Sequence, residues 1–212
     1  MNWLFAIDMA GVIVVAVTGC LAAARKRLDL FGAVVFAILT GVGGGTLRDL
    51  LLDVPVFWIA RPVYVIAAAA TGLATFFWMR FLPVPHGTLR VADALALGFY
   101  TVIGAEKALA NGAPPTIAVV MGLLTGVAGG AIRDVLSAET PMILGREIYA
   151  TASLLGSTIL VSLRAAGFDA SWAWGCGFAA AFLLRLAAIR WHLRLPSAIS
   201  REPADGGDGG DD

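Results

Sequence analysis

Thr40 to Asp49 read "TGVGGGTLRD" and Thr125 to Asp134 read "TGVAGGAIRD", with seven of ten positions identical at an offset of 85 residues. The same offset pairs Asp8 with Asp93, Gly19 with Gly104, Arg61 with Arg146 and Tyr64 with Tyr149, without a gap. A duplication of this length dictates architecture, because each copy folds as one unit and the two units then pack. Each copy carries three long apolar segments. Three crossings of a bilayer leave the second copy upside down relative to the first, an arrangement that recurs in transport proteins with a pathway between the halves. Duplication can also build a plain scaffold, but polar residues inside the repeats favour transport.

That these segments cross a membrane follows from composition. The 212 residues are 59% hydrophobic and 14% charged, with mean hydropathy +0.84. A soluble domain sits at roughly 45–50% apolar and about 25% charged. Runs of about 20 apolar residues cross a hydrocarbon core of roughly 30 Å, and they fall near 3–24, 30–52, 60–81, 91–110, 115–137, 146–165 and 171–191. The chain is therefore predicted to be an all-α polytopic membrane protein of seven transmembrane helices. The first three-helix repeat covers 1–85, the second, inverted, 86–169, and the seventh helix 170–193. The acidic, glycine-rich stretch 194–212 is predicted to be a disordered tail.

Arg25, Lys26 and Arg27 follow the first apolar run, whereas a cleaved leader carries its positive charge before it. The first segment is thus expected to stay as a span. Basic residues gather on one side of the predicted topology: Arg25 to Arg27, Arg80, Arg90, Arg146, Arg190, Arg194 and Arg201, against Arg61 and Arg164 on the other. By the positive-inside rule the first side is cytoplasmic, so the N-terminus faces out and the C-terminus in. A bacterial plasma (inner) membrane is the expected location and the lipid bilayer the expected partner.

Several functions are disfavoured. The net charge is zero, so no nucleic-acid partner is expected. Cys20 and Cys176 lie in apolar runs without ligand spacing, and His86 and His192 lie in connections; no metal site and no cofactor are expected. No nucleotide-binding loop or catalytic constellation points to an enzyme.

The candidate site lies in the duplicated stretch. Gly43, Gly44 and Gly45, mirrored by Gly129 and Gly130, predict a kink or break partway along spans 2 and 5, because glycine weakens a helix. Carbonyls freed at a break are cation ligands, and the new helix N-terminus attracts anions. Close helix packing is the competing use of the same small residues. Arg48 and Asp49, like Arg133 and Asp134, are sequence neighbours and point in different directions on a helix. Each pair is expected not to close on itself; Arg48 would meet Asp134 and Arg133 would meet Asp49, or each arginine would bond the other half's broken backbone, the competing reading being charges that snorkel at the interface. Asp8 and Asp93 stand near span starts, facing water or capping helices. Glu106 and Lys107 lie late in span 4 and are candidate gate residues, Lys107 foremost, with an interfacial lysine on the outer side as the alternative.

Two glycine-rich "GxGG…RD" stretches in a chain of three plus three plus one spans resemble the bacterial relatives of the trimeric intracellular cation (TRIC) channels. They also resemble a related family of small bacterial membrane proteins described as glycine transporters. The resemblance covers roughly 5–192. It implies a homotrimer whose subunits each hold a pore for monovalent cations, mainly potassium, shaped by kinks at the glycines named above. Animal channels of this kind carry a Lys-Glu-Val lipid-binding motif; "AEKA" at 105–108 is the nearest stretch here, with its charges in the opposite order. In the channel reading, Thr40 and Thr125 hydroxyls and freed carbonyls replace part of the ion's water shell. Asp49 and Asp134 then favour cations, while Arg48 and Arg133 brace the path. The alternative is a secondary transporter for glycine or another small zwitterion, with a helix N-terminus taking the carboxylate and an aspartate the ammonium.

Overall fold

The structure, a computed structural model, describes residues 3–81 and 87–196, with the side chains of 3 and 4 left aside. His86, Arg201 and the predicted tail from 197 onward lie outside the described residues. The first repeat comprises α1 (Trp3–Arg25), α2 (Leu30–Leu51), a one-turn α3 (Phe57–Ala60) and α4 (Val63–Phe81). The second comprises α5 (Thr88–Ala110), α6 (Pro115–Leu136), a 3-10 turn (Met142–Leu144) and α7 (Ala150–Ala165); α8 (Ala170–Trp191) follows. Six of these helices are long and apolar enough to span a membrane, and α7 is a shorter apolar helix. This is the seven-helix, all-α membrane architecture that the hydropathy predicts.

Local chemistry sets the helix ends. Asp29 caps α2 by accepting the Gly32 N–H at 2.8 Å, Pro115 opens α6, and Asp169 caps α8 through the Ser171 N–H at 2.8 Å. After α5 and α7 the chain turns through Gly112 and Gly167 at φ +78 and +83, a left-handed conformation that side chains disfavour.

The helices of each repeat pack as a trio, α1 with α2 and α4, and α5 with α6 and α7; α2 crosses α6 at the centre, and α8 lies on α5 and α7. The expected helix break is absent. α2 is continuous from Leu30 to Leu51 and α6 from Pro115 to Leu136, and none of the five motif glycines has positive φ. These glycines instead let helices touch. A Cβ on Gly44 would meet the Thr125 carbonyl oxygen at 2.9 Å, and one on Gly129 would meet the Thr40 carbonyl oxygen at 3.1 Å. The crossing is reciprocal, so the packing alternative of the sequence reading describes it.

Non-helical backbone appears one step later, between α6 and α7. The sixth span was expected over 146–165, yet its helix begins only at Ala150. Residues 194–196, at the head of the predicted disordered tail, are also engaged: Arg194 forms an antiparallel bridge with Glu147, and the Leu195 N–H donates to the Arg146 carbonyl at 2.7 Å.

Candidate functional site

Each repeat builds one cluster of buried charge at the C-terminal end of its middle helix. In the first, Arg48 Nε donates to Asp49 Oδ1 at 2.7 Å, and Lys107 Nζ on α5 reaches the same oxygen at 2.7 Å. Arg48 Nη1 lies 3.8 Å from Asp8 Oδ1. In the second, Arg133 donates to Asp134 Oδ1 from Nε at 2.9 Å, and to Asp93 Oδ1 from Nη1 at 2.6 Å. The expected cross-repeat pairing is therefore corrected: each Arg-Asp pair closes on itself and takes its second carboxylate from its own repeat.

The reason is local. The free oxygen of each aspartate accepts a backbone N–H eight residues on, Asp49 Oδ2 from Phe57 at 2.9 Å and Asp134 Oδ2 from Met142 at 3.0 Å. Those residues open α3 and the 3-10 turn, so each aspartate caps the turn that follows its own helix. Held this way, the carboxylate lies beside the preceding arginine's Nε. A lone charge at bilayer depth costs about 2.5–3.5 kcal/mol on insertion scales; Arg133 is fully engaged by Asp93 and Asp134, whereas Arg48 Nη1 and Nη2 make no hydrogen bond among the described residues. Asp8 and Asp93, expected at water or as helix caps, instead serve the two arginines; Asp93 is 2% exposed.

The two ends of the bundle differ. Beside the first cluster opens a cavity of about 370 Å³, lined by Asp8, Arg61, Tyr64, Glu106, Lys107 and Trp174 among others. Glu106 Oε1 lies 3.4 Å from Arg164, while Glu106 Oε2 and Asp8 Oδ1 have no hydrogen-bond partner among the described residues. A separate, smaller space of about 10 Å³ lies at the crossing of α2 and α6, walled by Val15, Gly44, Asp93, Tyr100, Thr125 and Gly129 among others. Phe5, Asp8, Val15 and Thr18 on α1, and Asp93, Ala96, Tyr100, Ile103 and Lys107 on α5, line one or the other space. Their spacing of three, four or seven residues puts them on one face of each helix. Tyr100 lines the small space. Its ring lies against Gly11, where a Cβ would meet it at 3.0 Å, and its hydroxyl donates to the Gly41 carbonyl at 2.8 Å.

The remaining candidates scatter around these two spaces. Thr125, Gly129 and Gly130 line the narrow space, and the Thr125 hydroxyl is spent on the Met121 carbonyl at 2.6 Å. Thr40 is buried beneath Gly19. Gly43 faces Ile132, and Gly45 sits under the Phe57 ring. Sequence reasoning missed Tyr100 and also Arg185, a cation 1% exposed in the middle of an apolar span. Arg185 carried a readable signal, since an intramembrane charge is functional or structural by default.

The family described as "Glycine transporter" matches residues 5–80 and again 90–165, the same unit twice. The UPF0126 inner membrane protein YadS of Escherichia coli K12 is 43% identical over 201 residues, 90% of this chain and 94% of that protein. A solved TRIC trimeric intracellular cation channel orthologue from Rhodobacter sphaeroides superposes with a TM-score of 0.87 at 45% identity, covering 91% of this chain and all of that one. Another solved TRIC cation channel gives 0.84 at 31% identity, covering 95% and 100%.

Proposed function

The chain belongs to the glycine transporter family, whose unit it carries twice, and on that premise we propose that it is a monovalent cation channel conducting mainly potassium. The path runs inside each subunit, between the inverted repeats, from the large cavity past Tyr100 to the narrow space at the α2–α6 crossing. The observation that carries this reading is the pair of helix faces on α1 and α5, which line both spaces in succession. The likeness to solved cation channels supports it. In this reading Asp49 and Asp8 attract cations, Lys107 competes with them as the gate, and the glycines at the crossing fix how closely the halves approach. Ligation by carbonyls of a broken helix has no part, because both helices are continuous. The functional unit is a homotrimer in a bacterial inner membrane, with the N-terminus and the large cavity outside and the C-terminus inside. The gathering of basic residues on one side supports this orientation.

A second reading is favoured by one feature of the large cavity. Asp8 and Glu106 line it together with Arg61 and Lys107, and both signs together suit a small zwitterion such as glycine. Liposomes holding the purified protein and an outward potassium gradient separate the two readings. With a proton carrier and a pH-sensitive dye, fast potassium efflux without saturable glycine uptake is expected. Saturable, gradient-driven uptake of labelled glycine without passive potassium leak would overturn the channel.

A further inference from the structure

Tyr64 and Tyr149 occupy the same position in the two repeats, but their surroundings differ. Tyr64 lines the large cavity, whereas Tyr149 walls the narrow space, with its hydroxyl against Gly130. The residue behind Tyr149 comes from outside the duplication. Arg185 on α8 holds its guanidinium 5.0 Å from the centre of the Tyr149 ring. Its Nη1 donates to the Ile148 carbonyl at 3.0 Å and its Nη2 to Glu147 Oε2 at 2.7 Å; Nη2 also lies 3.7 Å from Met142 Sδ.

These partners are the non-helical run that precedes α7. The counterpart of Ile148 is Val63, the first residue of α4, so the first repeat is already helical where the second is not. The Ile148 carbonyl lies outside a helix and needs another donor, which Arg185 supplies. The chain after α8 grips the same run again, through the Arg194–Glu147 bridge and the Leu195–Arg146 hydrogen bond.

We infer that Arg185 is a positioning residue that holds segment 146–149, and with it Tyr149, closed over the second end of the path. The seventh span thereby makes two equivalent ends unequal, one open and one shut. The inference rests on the proposed path, but it can fail separately.

The test is side-specific chemical access to the narrow space. In a background with Cys20→Ala and Cys176→Ser, a single Ala96→Cys in that space is labelled with a membrane-impermeant cationic thiol reagent. The reagent is applied to reconstituted protein from each side in turn. Arg185→Met is expected to speed labelling about tenfold from the side of segment 146–149 only, as loss of a charge-assisted hydrogen bond on a closed segment implies. Arg185→Lys should restore part of the protection, since lysine keeps the charge but not the two-pronged geometry. Unchanged labelling in an Arg185→Met protein of unaltered melting temperature would overturn the inference. If that variant does not fold, Glu147→Gln carries the test, with modestly faster labelling expected and no change overturning it. Faster labelling without potassium flux in any variant would sink the channel and leave the role of Arg185 standing.

Discussion

Arg133 Nη1 lies 2.6 Å from Asp93 Oδ1, joining α6 to α5 inside one repeat and leaving nothing for the other repeat's aspartate. A double-mutant cycle on Asp93→Ala and Arg133→Met should therefore show coupling of about 0.5–3 kcal/mol in detergent melting. The cycle on Asp49→Ala and Arg133→Met should show almost none, and reversing Asp49 and Arg133 together should give no rescue. Asp93→Ala alone strands a buried guanidinium and should cost about 3–5 kcal/mol. Rescue across the repeats would contradict the pairing.

At the central crossing, neighbouring glycines should respond differently. A Cβ on Gly44 meets the Thr125 backbone, whereas one on Gly43 meets only the Ile132 Cδ1 tip, which can rotate away. Residue 128, the counterpart of Gly43, is already alanine. Gly44→Ala should destabilise by about 1–3 kcal/mol, the usual cost of overpacking. Gly43→Ala should be close to neutral because alanine favours the helix by roughly 1 kcal/mol. Thermal melts of the two variants side by side check this, and equal losses would contradict it.

Lys107 spends its charge on Asp49 Oδ1 at 2.7 Å while lining the large cavity. Lys107→Gln should free that carboxylate for permeant cations and raise potassium efflux from liposomes severalfold, with little change in melting temperature. Unchanged or lower flux would remove Lys107 from the path.

Asp169 provides a pH handle at the α7–α8 turn. The Ser171 N–H favours its charged form, holding the carboxyl below its ordinary value of 3.8. A group with a lowered folded-state pKa contributes its stability above the unfolded value and loses it as pH falls through the folded one. Between neutral pH and about 3, the wild type should thus lose more melting temperature than Asp169→Asn, and parallel curves would argue against the cap.

The sequence made the repeats, the spans and the two Arg-Asp pairs legible, because identity at a fixed offset and hydropathy are one-dimensional signals. It misled at the glycines. A row of three suggests a weak helix, but here Ile132, the Thr125 backbone and Phe57 each fill the space one glycine leaves, and packing keeps the helix whole. It misled again at Arg48 and Asp49, since the rule that adjacent residues diverge holds inside a helix and these stand at its end. There the fate of the aspartate is decided by a backbone N–H eight residues away. Tyr100 was invisible because its counterpart is Val15, so the repeat itself hid it.

The 16 residues of α7 have a consequence at the lipid boundary. At 1.5 Å per residue the helix reaches about 24 Å, against a hydrocarbon slab of roughly 30 Å. Leu154 and Leu155 on its outer face therefore meet acyl chains over less than the full thickness. A shorter helix is accommodated by thinner lipid, by snorkelling flanks or by contact with another chain, each at a fraction of a kcal/mol per ångström. The run held by Arg185 directly precedes α7 and extends that element beyond its helical turns. The sixth span is therefore part helix and part tethered non-helical chain, and its reach is fixed by a side chain of the seventh.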